Sequence, residues 1–154
     1  MSSFATIRLH FMDALFPRLS EWYCAILLFA LGAMLSANPV LMTSTKTATF
    51  DLMLMIATQE QWSWIMRVFA FLRLVILLVN GILRRSPHLR AGSAFLSLFF
   101  WTQIALSAKA TFGFVFVFSA TVAALDFMNV IRASRDARLT DYIHAKGGPE
   151  GGPG

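Results

Sequence analysis

Long uncharged stretches separated by short polar segments dominate the pattern of this chain. Residues 22–45, 91–108 and 110–125 carry no charge, and a fourth apolar stretch, 62–83, contains only two arginines. About 20 apolar residues in a helix suffice to cross a bilayer. The pattern therefore predicts an all-α fold with four membrane-spanning helices. Their expected bounds are about 22–42, 62–83, 92–108 and 112–131.

The segments between these stretches predict how the helices end. Asn38-Pro39 should end or kink the first helix, because proline lacks a backbone N–H and clashes with the preceding turn. Residues 50–57 are apolar but too short to cross, so we expect them to rest on the membrane surface or to pack under the loop. Residues 132–145 can extend the fourth helix as a basic segment, and the Gly/Pro tail 147–154 is predicted to be disordered.

The N-terminal segment supports two interpretations. Phe4, Ile7, Phe11 and Leu15 recur at helical spacing, which is typical of a short amphipathic helix lying in the membrane interface. The alternative is a plain cytosolic extension of the first span. The first apolar stretch follows a leader with both acidic and basic residues, so we interpret it as an anchor that is retained. Residues 1–146 are then a single four-span domain.

Composition and charge place the chain in a membrane. It is 57% hydrophobic and 14% charged, whereas about a quarter of the residues of a soluble domain are charged. Nine of the thirteen Lys and Arg lie before the first span, between the second and third, or after the fourth. Cationic loops stay on the cytoplasmic side, so both termini are expected in the cytoplasm. We expect a multi-pass protein of the bacterial inner membrane.

The same charge distribution argues against other partners and chemistries. The net charge of +5 comes from residues at the ends of apolar stretches, where they face anionic lipid headgroups rather than nucleic acid. Cys24 is the only cysteine, and His10, His88 and His144 lie outside the spans, so we expect no metal cluster, no haem and no other cofactor. Catalytic motifs are also missing from the sequence, which favours a protein that is not an enzyme.

Three polar residues inside the spans form the candidate site. Arg73 lies near the middle of the second span, where an arginine costs about 2.5–3.5 kcal/mol to insert. Helical rise places Gln103 at nearly the same depth and Asp126 within reach of the arginine side chain. Such a cluster could fix helix packing or line a path for ions or water. Alternatively, Asp126 could pair with Arg85 or Arg132 at the headgroups.

Small residues suggest where helices approach each other closely. Gly32 and Ser36 in the first span, and Ala120 and Ala124 in the fourth, follow the small-x-x-x-small pattern. The pattern fits packing within one chain and association between chains equally well.

Several segments between Arg67 and Thr140 resemble a group of known proteins. They include Phe71-Leu72-Arg73, Asn80-Gly81, the basic run 84–90, Trp101, Asp126 and the run 132–138. About half of the chain thereby resembles small membrane proteins of proteobacterial tailed phages and prophages, some of which are described as holin-like. The resemblance implies a phage origin and transfers no functional residue, and common holins have fewer spans.

These observations lead to a ranked set of functions. The leading hypothesis is a small non-enzymatic membrane protein that acts by self-association, as a holin-like lesion former. The alternatives are an accessory subunit of a larger membrane complex, a small channel or transporter that uses Arg73 and Asp126, and, last, a membrane enzyme.

Overall fold

The computed structural model describes residues 18–43, 49–82, 86–108 and 113–145. Every element in these ranges is helical, in agreement with the predicted all-α fold. The elements are α1 (Leu19–Ala37), α2 (Asp51–Leu54), α3 (Gln59–Ile82), α4 (Pro87–Ala108) and α5 (Phe114–Ala145). Within the described part of the chain, α1, α3, α4 and α5 are long and apolar enough to cross a membrane. These lengths and compositions are those of a multi-pass membrane protein.

The helix bounds differ from the predicted spans mainly at their ends. Helix α1 ends at Ala37, five residues before the predicted boundary, because Pro39 cannot continue the backbone ladder. Asn38 caps this end, and both its backbone N–H and its side-chain amide donate to the Met34 carbonyl. Helix α4 begins five residues earlier than predicted, with Pro87 in its first turn, where proline is tolerated. Helix α5 continues without a break through the predicted basic segment.

The long helices pack as two antiparallel pairs, α1 with α3 and α4 with α5. We call the end of the bundle that carries α2 the loop end, and the opposite end the basic end. At the loop end, the buried Gln59 side chain joins α1 to α3. Its amide nitrogen donates to the Leu35 and Asn38 carbonyls at 2.9 and 2.5 Å, and its oxygen accepts from the Met42 N–H at 2.7 Å.

The short helix α2 packs against the first turns of α3 at the loop end. Met53 is 1% exposed, while its neighbours Leu52 and Met55 face outward. The Trp62 indole N–H donates to the Met53 carbonyl at 2.8 Å and so ties α2 to α3. The predictions for the amphipathic segment and for the tail 147–154 fall outside the described residues, and so does Arg85, the alternative partner of Asp126.

Candidate functional site: a buried polar network

Arg73 of α3 and Asp126 of α5 form a two-bond ion pair inside the bundle. The guanidinium Nη1 donates to Oδ2 at 3.0 Å and Nη2 donates to Oδ1 at 2.6 Å. The two side chains are 1% and 0% exposed. A planar guanidinium fits a carboxylate in this paired geometry better than any other cation in proteins. The contact neutralises both charges within the bundle.

Two further side chains complete the coordination of the Asp126 carboxylate. Ser97 of α4 donates its hydroxyl to Oδ2, and the Asn129 amide donates to Oδ1 at 3.2 Å. Asn129 in turn accepts a hydrogen bond of 2.7 Å from the Ser20 hydroxyl of α1. All four long helices therefore contribute a side chain to one connected set of hydrogen bonds, which we call the Asp126 network.

The structure brings together two of the three residues of the predicted cluster. Gln103 is half-buried and lies six residues beyond Ser97 on α4, so Ser97 rather than Gln103 reaches Asp126. Sequence reasoning missed Ser97, Asn129 and Ser20. Asn129 had a usable signal, since a residue three positions after Asp126 shares its helix face. Serines are frequent in membrane helices, and nothing in the local sequence singles out Ser97 or Ser20.

A second buried ion pair lies nearer the basic end. The Arg90 Nε donates to Glu21 Oε2 at 3.2 Å, and a second bond joins Nη2 to Oε1. The third donor, Nη1, reaches Asp136 of α5 at 3.0 Å. Glu21 and Arg90 are buried, whereas Asp136 is 56% exposed, so this contact spans the boundary between interior and surface. It joins α1, α4 and α5.

The geometry of the Asp126 network favours packing over conduction. Each carboxylate oxygen of Asp126 already accepts two hydrogen bonds. A cleft opens at each end of the bundle, and neither of these clefts is lined by Arg73 or Asp126. Asp126 forms its ion pair with Arg73 and not with Arg132, whose side chain is exposed. A satisfied ionic contact of this kind fixes how the four helices fit together.

The four small residues of the predicted packing patterns have different surroundings. Gly32 is buried against α3, and a Cβ added there would lie 2.9 Å from the Arg67 Cγ and 3.1 Å from the Ser63 carbonyl. The Ser63 hydroxyl donates to the Gly32 carbonyl at 2.9 Å, so the backbones of α1 and α3 are in close contact. Ser36 is exposed at the loop end, Ala120 is half-buried, and Ala124 faces outward.

Comparison with known proteins found no relative of this chain. No family model, no curated protein and no solved structure matches the chain.

Proposed function

We propose that this chain is a small non-enzymatic protein of the bacterial inner membrane that acts by self-association through α5, as a holin-like lesion former. The observation that carries the proposal is the outward face of α5, which is apolar, contains small residues and is not covered by the rest of the described chain.

Helix α5 is the least buried of the long helices. Only 22% of its most apolar stretch is covered within the bundle, compared with 50% for α4. Val117, Thr121, Ala124 and Met128 recur at helical spacing and are all exposed. Thr121 and Ala124 are small enough to let a second helix approach closely. The Thr121 hydroxyl donates to the Val117 carbonyl of its own helix at 2.8 Å, so this polar group needs no water.

The interior of the bundle constrains how such an assembly forms. Ala124 lies two residues before Asp126, and two residues in a helix turn the side chain by about 200°. The small residues therefore face away from the Asp126 network. Because that network connects all four long helices, association through α5 joins intact bundles and leaves their internal contacts in place.

Charge supports the proposed orientation. Arg132, Arg135 and Arg138 are exposed on the last turns of α5 at the basic end. The side that carries most of the Lys and Arg is normally cytoplasmic. Exposed arginines there also favour contact with anionic headgroups. We therefore place the basic end and both termini in the cytoplasm.

Cysteine cross-linking tests the association surface directly. In a Cys24→Ser background, Ala124→Cys should form a disulfide-linked dimer when native membranes are oxidised, because the two small faces meet. Leu72→Cys and Leu96→Cys are matched controls. Both positions are exposed, and they neighbour Arg73 and Ser97, so they lie at a similar depth on other helices. Equal cross-linking at all three positions, or none at Ala124, would contradict association through α5.

Membrane potential tests the lesion. Expression in a bacterium should collapse the potential after a delay, and Ala124→Leu should lengthen that delay by blocking close approach. A co-expressed endolysin should lyse cells only when this chain is present. If Ala124→Cys cross-links but expression leaves the potential unchanged, the chain associates without forming a lesion, as expected of a subunit of a larger complex.

A further inference from the structure

A cleft of about 690 Å³ opens at the loop end, between the end of α1, the helix α2 and the first turns of α3. Its wall includes Ser36, Glu60, Ser63, Trp64 and Arg67. Ser36 lies at the end of α1, and because α3 begins at Gln59, the other four residues occupy its first three turns. In a membrane-spanning helix this is the depth of the lipid headgroups and of the first carbons of the acyl chains.

Arg67 directs its charge into this cleft. Its Nε donates to the Ser63 carbonyl at 3.3 Å, which turns the guanidinium back toward the start of α3. The residue is half-buried, and its stem packs against Gly32. Among the residues that the structure describes, no carboxylate lies within ion-pair distance of it. The Arg67 charge is therefore available to an anion in the cleft.

Glu60 supplies the opposite charge on the same wall. It is exposed and has no hydrogen-bond or ion-pair partner in the described part of the chain. It lies seven positions before Arg67, which places it on the same face of α3 about 10 Å nearer the helix start. The backward-directed arginine side chain closes part of that distance. In the described part of the chain the two side chains form no ion pair with each other.

We propose that this cleft binds a phosphoethanolamine group, the zwitterionic headgroup of phosphatidylethanolamine. The phosphate would pair with Arg67 and accept from the exposed Ser36 hydroxyl, and the primary ammonium would donate to Glu60. Trp64 is 61% exposed beside them and would contact the glycerol and the start of the acyl chains. Phosphatidylglycerol offers no ammonium to Glu60, and the quaternary ammonium of phosphatidylcholine has no N–H to donate. This site does not depend on self-association.

Native mass spectrometry of the full chain in detergent measures lipid selectivity. The native protein should bind phosphatidylethanolamine about tenfold more tightly than phosphatidylglycerol or phosphatidylcholine, the effect of one charge-assisted hydrogen bond. Glu60→Gln should abolish that preference, and Arg67→Gln should weaken binding of all three lipids. Asp51→Asn is the matched control, because Asp51 is an exposed carboxylate at the same end that does not line the cleft. Equal affinity of the native protein for the three lipids would overturn the proposal.

A measurement on the native chain removes dependence on how the variants fold. A photoactivatable phosphatidylethanolamine should label the peptide that contains residues 58–67. Soluble glycerophosphoethanolamine should compete if the headgroup alone is recognised, and only intact lipid should compete if the acyl chains are also needed. Labelling spread evenly over the exposed faces of α3 and α5 would count against a specific site.

Discussion

The guanidinium of Arg73 holds both carboxylate oxygens of Asp126, which lies 53 residues further along the chain, at 3.0 and 2.6 Å. This ion pair joins α3 to α5 across the interior of the bundle, where both side chains are buried. The variants below test the buried pairs, the close helix contact and the orientation of the bundle.

Separating the Arg73–Asp126 pair should destabilise the bundle strongly. Asp126→Asn leaves the guanidinium buried without its counterion, and breaking a buried pair in this way costs about 3–5 kcal/mol. Arg73→Leu should insert at least as well as the native chain, since it removes an arginine whose insertion costs about 2.5–3.5 kcal/mol, yet the folded bundle should be less stable. Unfolding titrations in mixed micelles measure both effects. The double variant Arg73→Leu/Asp126→Asn should be more stable than either single variant, and simple additivity would contradict the pairing.

The buried and exposed ion pairs near the basic end should differ in their contribution to stability. Arg90→Gln leaves the Glu21 carboxylate, whose side chain is 5% exposed, without its cation, and we expect a loss of about 3 kcal/mol. Asp141→Asn removes the contact with His88, in which both side chains are 63% exposed, and should change the stability by less than about 1 kcal/mol. Thermal unfolding of the two variants side by side checks the order. Similar losses would mean that the Arg90 pair is solvated.

Gly32→Ala should weaken the contact between α1 and α3. The new methyl group would lie 2.9 Å from the Arg67 Cγ and 3.1 Å from two backbone atoms of α3, so the helices must separate. Overpacking of this kind costs about 1–3 kcal/mol. Gly92→Ala is the matched control, because nothing lies within 4 Å of the added Cβ and alanine favours the helix by about 1 kcal/mol. A gain in stability from both variants would mean that α1 and α3 are not in close contact.

Reporter fusions test the orientation of the bundle. Reporters placed after Arg90 and after Arg138 should report the cytoplasm, and one placed at Lys46 should report the outside. Most of the Lys and Arg lie on the same side as Arg90 and Arg138, and that side is normally cytoplasmic. The test does not depend on function. An external signal at Arg90 would mean that a span is reversed or missing, which would contradict the four-span arrangement.

The number of long helices followed from the sequence because it depends on chain length and on charge alone. An uncharged run either reaches the thickness of a bilayer or does not, and proline at position 39 marks an end that no packing can remove. Arg73 and Asp126 were also identifiable, since a charge inside an apolar span needs a partner. Their depths along antiparallel helices could be calculated from the helical rise.

Only the tertiary structure decided which side of each helix is buried and which side faces outward. In a soluble helix an apolar stripe marks the buried side, but a membrane helix is apolar on every side, and lipid and protein interior select the same residues. Gly32 and Ala124 therefore look alike in sequence, although one is buried against Arg67 and Ser63 and the other faces outward. For the same reason the sequence alone did not show that Ser97, and not Gln103, contacts Asp126. Its position on α4 points at Asp126, and the rotation of α4 is set by its packing against the other helices, chiefly α5, and not by its own sequence.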